Sequence, residues 1–266
     1  MSTGHDGPDH GAGQPVVDLE RLRRACGDCS LRTLCLPEGL SSADVDRIES
    51  IVEQRQPLDR AEMLFRAGDE FHHLYVVRSG AMRTTLLATA GEEQVIGFHL
   101  PGELLGLDAI SAGRHRCTAT ALEHTNVCAV PFDRLEAVAE VVPSLQRQLL
   151  RIVSREMVED HKHMATLGRR SARERLALFL YSLSARLERS GQGGEQISMS
   201  MSRADIASYL GLALETVSRL LGRLADEGVI AIDRRHLRIV DRERLAEAAG
   251  GAGDAEVAGA RSGQAG

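Results

Sequence analysis

The sequence lacks tryptophan altogether, and aromatic residues make up 3% of its 266 residues. A folded core must therefore be built from aliphatic side chains. Residues 1–15 contain no apolar stretch of the kind found in signal peptides. No apolar run reaches the roughly 18 residues of a membrane-spanning helix. These absences predict a cytoplasmic protein without a membrane partner, whose thiols stay reduced.

Catalytic constellations are also missing. No Ser/His/Asp set and no pair of carboxylates can be placed in one pocket from the pattern. The chain is therefore predicted not to be an enzyme.

The charge distribution is uneven. The net charge of −6 argues against a protein that binds polyanions over its whole surface. Residues 169–240, however, hold twelve Arg, no Lys and eight acidic residues, a local excess of four positive charges. This part of the chain is where nucleic acid is expected to bind.

Four cysteines form a close trio and one distant partner. Cys26, Cys29 and Cys35 lie near the N-terminus, and Cys128 follows much later in the chain. Thiolates are the ligands of soft metals and iron–sulfur clusters, and a cubane cluster needs four of them. We therefore expect both parts of the chain to fold around one cofactor.

Other uses of these cysteines stay open from the residues alone. Structural zinc sites usually pair two short C-x-x-C knuckles, whereas five residues separate Cys29 from Cys35. A disulfide framework requires an oxidising compartment, which the sequence does not indicate. Cys117 or Cys128 could also be independent buried thiols, because reduced cysteine often packs as a small apolar side chain.

Glycines recur at turn spacing between short apolar runs over residues 55–132, a pattern typical of an antiparallel β-roll. With 43% hydrophobic residues, the chain is long enough for two domains. The predicted fold class is α+β. The predicted segments are a disordered tail (1–17), a cluster-binding segment and β-roll sensor domain (18–142), a dimerisation helix (143–168), a winged helix-turn-helix DNA-binding domain (169–248) and a second disordered tail (249–266).

The long helix, predicted from Pro143 to about Met164, carries a seam with the a/d spacing of two packed helices. A homodimer is therefore predicted. Asp160 is the one acidic residue of the seam, and if it meets its own copy, repulsion and desolvation oppose dimerisation. Alternatively the seam drifts by about 20° per heptad and Asp160 faces solvent. The seam residues are Leu150, Val153, Met157, Asp160, Met164 and Leu167.

Residues 200–232 show the pattern of a helix-turn-helix. A first helix is predicted around 203–210 and a second around 214–226, with a turn at Gly211 and the small Ala207 where the helices cross.

Three side chains share one face of the second helix: Glu215, Ser218 and Arg219. Arginine suits the O6 and N7 acceptors of guanine, and glutamate accepts from the N4 group of cytosine. This face is therefore predicted to read a G·C pair and its neighbour in the major groove. The alternative is a salt bridge between Glu215 and Arg219 on a solvated face.

The run VIAIDRRHLRIV after this motif is typical of the two-stranded wing of winged helices, with Arg234 and Arg235 at its tip near the phosphate backbone. The complete set of predicted DNA-binding residues is Arg203, Glu215, Ser218, Arg219, Arg234 and Arg235.

Together, the cysteine trio, the β-roll, the run Thr125–Phe132, the long helix and the ETVSR pentapeptide resemble the Crp/Fnr superfamily of transcription regulators, in particular its oxygen-sensing Fnr type. The resemblance covers residues 20–247. It implies an activator of genes for anaerobic growth that works with RNA polymerase and binds inverted repeats of half-sites like TTGAT. The single G·C pair of that half-site agrees with the assignment of Glu215 and Arg219.

The resemblance also implies a cofactor. It is a [4Fe-4S] cluster on Cys26, Cys29, Cys35 and Cys128, which oxygen converts to a [2Fe-2S] form with loss of the dimer. Cys117 is an extra thiol that could compete as fourth ligand, but the family context of Thr125–Phe132 favours Cys128.

The sequence departs from the cyclic-AMP-binding members of the superfamily. In those relatives a Glu follows the glycine that matches Gly106, and an Arg-Ser pair grips the phosphate. Here Leu107 follows Gly106, and Cys117 follows Arg116. We therefore predict an oxygen-responsive regulator. A nucleotide-gated regulator of the same fold and a cluster-containing redox protein or metalloenzyme are the alternatives, and neither a carrier nor an enzyme needs a recognition helix.

Overall fold

A computed structural model describes residues 29, 31, 35, 36, 40–87 and 91–251 of the chain. Cys26, the predicted tail at residues 1–17 and residues 252–266 lie outside the described residues. The prediction that the second disordered tail starts at residue 249 is wrong, because Ala249 is fully buried in an apolar core.

Eight strands build a β-roll of two antiparallel four-stranded sheets. The first sheet has the strand order β1-β8-β3-β6 and the second the order β2-β7-β4-β5. The strands are β1 (Glu53–Gln54), β2 (Met63–Phe65), β3 (His73–Ser79), β4 (Met82–Leu87), β5 (Glu93–His99), β6 (Leu104–Leu105), β7 (Thr118–Ala121) and β8 (Asn126–Pro131).

The inner faces of the two sheets enclose an aliphatic core. Strand β8 shows why the chain folds this way, because Val127 and Ala129 are buried in this core while Cys128 and Val130 between them are not. Side chains alternate between the faces of a strand, so Cys128 and Val130 lie on the outer face of the first sheet.

A tight turn connects the two sheets at Gly80. Its backbone has φ 83°, and a Cβ at this position would lie 2.5 Å from Thr125 Oγ1. The Thr125 hydroxyl donates to the Ala81 carbonyl at 3.1 Å. Only glycine fits here, which agrees with the prediction of turn glycines.

Three helices cover the outer face of the first sheet: α1 (Ser42–Ile51), α2 (Phe132–Val141) and α3 (Pro143–Arg169). Ile48, Leu135 and Ile152, one from each helix, pack in one apolar cluster with Leu74 and Leu104 of the sheet. Helix α2 was not predicted, and α3 ends one residue beyond the predicted dimerisation helix at 143–168.

The C-terminal part is a winged helix domain. Its elements are α4 (Ala172–Arg189), β9 (Gln196–Ser198), α5 (Arg203–Leu210), α6 (Leu214–Asp226), β10 (Ile230–Asp233), β11 (His236–Ile239) and α7 (Arg242–Ala248). The three strands form an antiparallel sheet of order β10-β11-β9. Phe98 and Leu122 of the β-roll belong to the same buried cluster as Leu176 and Leu180 of α4, so the second sheet and the winged helix domain share a core.

Among the described residues, no helix combines the length and apolar character needed to cross a bilayer.

Candidate DNA-binding interface and sensing cysteines

The helix-turn-helix has the bounds that the sequence predicts. Helix α5 begins with a capping box, in which Ser202 Oγ accepts from the Asp205 amide at 3.1 Å and Asp205 Oδ2 accepts from the Ser202 amide at 2.8 Å. The helix ends at Gly211, which has the left-handed φ of 60°. Ala207 is buried where the helices meet. These local signals fix the position of α6.

Helix α6 has one buried and one exposed face. The buried residues are Val217, Leu220, Leu221 and Leu224. On the other face, Glu215 and Arg219 are exposed and Ser218 is half-buried. No ion pair joins Glu215 to Arg219 in the part of the chain that the structure describes, so both side chains are available to base edges.

Two further predicted contacts lie at the tip of the wing. Strands β10 and β11 pair with Asp233 opposite His236, and Arg234 and Arg235 form the turn between them. Arg234 has φ 54°, and both arginines are exposed.

A recess of about 180 Å³ joins the wing to the start of α5. Arg203, Arg234 and Arg235 line it together with Arg60 of the β-roll. Such a group of guanidinium groups suits phosphate oxygens. The sequence analysis missed Arg60 because no local pattern connects a turn of the β-roll with the wing.

The charge of Cys29 affects the Cys128 thiol despite the separation of the two residues in the chain. The Cys128 thiol is half-buried on the central strand β8, between Gln54 of β1 and Val76 of β3. Burial raises the pKa of this thiol, the nearby Cys29 raises it further, and the positive charge of Arg78 opposes both effects.

Cys35 approaches the same outer face. It is half-buried and packs against the apolar cluster around Leu74, as do Val76 and Val130, the two residues that flank Cys128 across and along the sheet. Cys26 lies outside the described residues. Within the described ranges, no group of three or more His, Cys, Asp or Glu side chains is arranged to hold a metal ion.

Cys117 lies on the opposite side of the sheet, in the core between the two sheets. Its Sγ donates to Asp108 Oδ2 at 3.4 Å. Burial and the nearby Asp108 carboxylate raise the pKa of the Cys117 thiol to about 12. Cys117 therefore lies inside the roll, on the other side of the first sheet from Cys128.

The predicted seam of α3 is on the surface of the single chain. Leu150, Met157 and Met164 are 64%, 55% and 60% exposed. Asp160 is exposed among them, and Leu167 is half-buried. A row of large apolar side chains in contact with water is unfavourable, and burial against a second helix would remove it.

Helix α3 also lines a cavity of about 450 Å³ between the β-roll and α4, with Glu156 and His163 and with Val153, Met157 and Asp160 of the seam. Arg186 and Glu103 form a two-point ion pair there, with Nε–Oε1 2.8 Å and Nη2–Oε2 2.5 Å. Glu156 also lines this cavity, and burial together with the negative charge of Glu103 raises its pKa to about 7.

The winged helix domain contacts the β-roll through α5. Arg83 of β4 pairs with Asp205, and the Val95 amide donates to Ser208 Oγ at 2.9 Å. The rings of Phe98 and Tyr209 pack 5.2 Å apart. The first helix of the helix-turn-helix is therefore attached to the β-roll, while α6 faces outward.

Two domain families match the chain. The cyclic nucleotide-binding domain matches residues 55–141, and the Crp-like helix-turn-helix domain matches residues 174–248. A β-roll followed by a long helix and a winged helix defines a DNA-binding transcription regulator.

Relatives extend this assignment over most of the chain. The transcriptional activator protein Anr of Pseudomonas protegens is 46% identical over 238 residues, which cover 90% of this chain and 98% of Anr. The fumarate and nitrate reduction regulatory protein of Escherichia coli K12 is 40% identical over 225 residues, 85% of this chain and 90% of that protein. The structure of FixK2 from Bradyrhizobium japonicum superposes with a TM-score of 0.68 at 33% identity and covers 74% of this chain and 96% of FixK2.

The chain belongs to the Crp/Fnr family of transcription regulators. The predicted family and fold class are thereby confirmed. The prediction that the chain is not an enzyme agrees with the relatives, which are named as transcriptional regulators.

Proposed function

We propose that this chain is an oxygen-responsive, cytoplasmic transcription regulator that binds DNA as a homodimer and controls genes of anaerobic metabolism. One observation carries the proposal: Cys128 lies on the outer face of the first sheet, and Cys35 packs against the apolar cluster that covers this face. The names of the relatives support the rest, since one of them regulates fumarate and nitrate reduction and another is a transcriptional activator.

In this proposal Cys26, Cys29, Cys35 and Cys128 hold a [4Fe-4S] cluster. Thiolates are the donors that such clusters require. The raised pKa of the Cys128 thiol keeps it protonated at neutral pH unless a nearby positive charge compensates, and a coordinated metal deprotonates a thiol outright. The described cysteines therefore fit the group. When bound, the cluster supplies the reactivity toward oxygen that side chains lack.

Dimerisation in this proposal uses the seam of α3. The exposed Leu150, Met157 and Met164 supply apolar area, while Asp160 brings two like charges together at the two-fold axis. These opposing effects make the dimer marginal. A small change in the β-roll, whose core cluster includes Ile152 of α3, would then be enough to shift the monomer–dimer equilibrium.

DNA binding follows from the dimer. Two copies of α6 would enter successive major grooves about 34 Å apart, so the operator is an inverted repeat. We propose half-sites like TTGAT, with Arg219 and Glu215 at the G·C pair, and phosphate contacts from Arg203, Arg234 and Arg235. As an activator, the bound dimer would recruit RNA polymerase.

Anaerobic purification tests the cofactor directly. Iron and acid-labile sulfide are measured together with the absorption spectrum, before and after exposure to air. We expect iron and sulfide in equal amounts and a visible absorption band that air bleaches. Protein without iron but with a bound cyclic nucleotide would contradict the proposal and favour a nucleotide-gated regulator. Iron that is unaffected by air would favour a redox carrier.

A further inference from the structure

The Asp108 carboxylate lies in a ring of hydrogen-bond donors inside the β-roll. Its Oδ2 accepts from the Arg116 amide at 2.7 Å, from the Cys117 amide at 3.2 Å and from the Cys117 thiol at 3.4 Å. Asp108 belongs to a short 3-10 turn after Gly106, and the donors belong to the segment that leads into β7.

Two successive backbone amides that point at one oxygen atom form an anion-binding nest. The thiol adds a third donor, because the raised pKa of Cys117 keeps its proton in place. The ring of His115 is nearly fully buried beside the nest, stacked on Phe65 at 3.7 Å, and its Nδ1 lies 3.6 Å from Asp108 Oδ1 without a hydrogen-bond partner. The donors of this site are thus built for a negatively charged oxygen.

The nest borders a cavity that a ligand could occupy. Asp108 and Cys117 both line the cavity of about 450 Å³ between the β-roll, α3 and α4. Arg116 is exposed at the edge of the nest. A phosphate or carboxylate oxygen would find the same three donors there if Asp108 were absent.

We infer that the Arg116–Cys117 turn is an anion-binding site whose ligand the chain supplies itself, with the Asp108 carboxylate in the place of a phosphate or carboxylate oxygen. The inference goes beyond the proposed function and does not depend on the cluster. Its consequence is that the β-roll is already closed on an anion, so no small anionic effector is needed to order this side of the roll. A signal would have to enter elsewhere, and Cys128 lies on the outer face of the first sheet, whereas this turn leads into β7 of the second sheet.

The test removes the internal ligand and offers a replacement. In full-length Asp108→Ala the nest loses its anion, and we expect the melting temperature to fall by about 3–8 °C because two amides lose their acceptor. Sodium formate or inorganic phosphate should restore at least half of this loss, while sodium chloride at equal ionic strength should not. Wild-type protein should gain no stability from either anion beyond the effect of the chloride control.

Further variants distinguish the effect of the Asp108 charge from the effect of the volume that its side chain fills. Asp108→Asn fills the nest with a neutral acceptor, so it should fold and show no specific response to formate. Asp69→Ala removes an exposed carboxylate that accepts the Arg66 amide at 2.8 Å, and formate should not restore any stability that this variant loses. If Asp108→Ala yields no folded protein, Asp108→Ser, which leaves a smaller void, takes its place.

Three results would overturn the inference. The first is that neither formate nor phosphate restores the stability of Asp108→Ala or its Ser substitute. The second is an equal formate response in Asp108→Asn. The third is binding of phosphate or cyclic AMP by the wild-type protein at this turn, since an occupied nest has no room for a second anion.

Discussion

In the winged helix domain most of the predicted DNA contacts are exposed, whereas in the β-roll the predicted cluster ligands that the structure describes are half-buried. Glu215 and Arg219 are exposed on α6. Cys128 is half-buried on a strand that has a neighbour on both sides. In the proposed function, α6 can therefore read DNA in the single chain, whereas the cysteines act as a sensor only when they hold the cluster. Regulation is better explained by how two reading regions are brought together than by a change within α6.

The two regions are nevertheless joined. Arg83 and Asp205 form an ion pair between β4 and α5, and Phe98 packs against Tyr209. The winged helix domain thus follows the β-roll to which it is attached. Variants in one region should change the function of the other only through this junction or through α3, and the following experiments examine that separation.

The largest effect is expected at the cysteines. Cys128→Ser should abolish cluster assembly, because a thiolate ligand is lost. Cys117→Ser should retain full iron content, since this thiol lies on the inner side of the sheet and stays protonated. Iron analysis after anaerobic purification compares the two variants. Full iron content in Cys128→Ser would show that the ligand assignment is wrong.

The seam should give the next largest effect. Asp160→Ala removes the charge that opposes dimerisation, so this variant should be dimeric and bind DNA in air without iron. Sedimentation of the aerobic protein measures its oligomeric state. The control is Asp133→Ala, which removes an exposed carboxylate of α2 outside the seam. If Asp160→Ala sediments as a monomer in air, Asp160 does not regulate the dimer.

Within the reading region, Arg219→Ala should weaken binding to the consensus operator by about 1–3 kcal/mol, because a bidentate guanine contact is lost. Its iron content should equal that of the wild type. Binding is compared with an operator in which the half-site G·C pair is changed. An equal loss on both operators would make Arg219 a phosphate contact.

Arg234→Ala at the wing is the matched contrast to Arg219→Ala. Since a phosphate contact carries no base information, affinity should fall alike for all sequences and the dependence on salt should flatten. A loss confined to the consensus operator would mean that the wing reads bases.

The smallest effect concerns Glu156, which lines the cavity at the junction of the two regions. Its pKa rises from 4.5 to about 7 because of burial, and then because of the charge of Glu103. Between these values the folded protein holds a proton that the unfolded chain has released. The contribution of Glu156 to the stability of the folded protein is therefore full below about pH 4.5 and is lost as the pH rises through about 7.

Glu156→Gln should reduce this loss of folding stability with rising pH, because glutamine does not titrate. His99 and His163 titrate in the opposite sense, because burial lowers the pKa of each. The difference between the variant and the wild type in urea unfolding across this pH range isolates Glu156. A difference that does not change with pH would show that Glu156 titrates normally.

Local signals explain which parts could be predicted from the sequence. The bounds of α5 and α6 follow from Ser202, Gly211 and the period of buried residues, all within a few positions of the elements that they define. The apolar seam of α3 was predictable for the same reason. Contacts between residues that are far apart in the sequence could not be predicted. The contact of Arg83 with Asp205, the position of Arg60 beside the wing and the nest around Asp108 depend on tertiary packing, which leaves no periodic pattern.

The arrangement of the cysteines could be predicted only in part. Their number and spacing predict a shared cofactor, but the sequence alone left Cys117 and Cys128 both available. The alternation of buried residues along β8 separates them, because it places Cys128 on the outer face of a sheet whose inner face packs against Cys117.

In the proposed function, the cluster held by the cysteines controls dimerisation and thereby the binding of DNA. Sedimentation velocity on anaerobically purified protein tests it most directly, with iron measured on the same sample before and after air. We expect a dimer with about four iron atoms per chain that becomes a monomer as iron is lost. A dimer fraction that stays the same after the iron is gone would contradict the account.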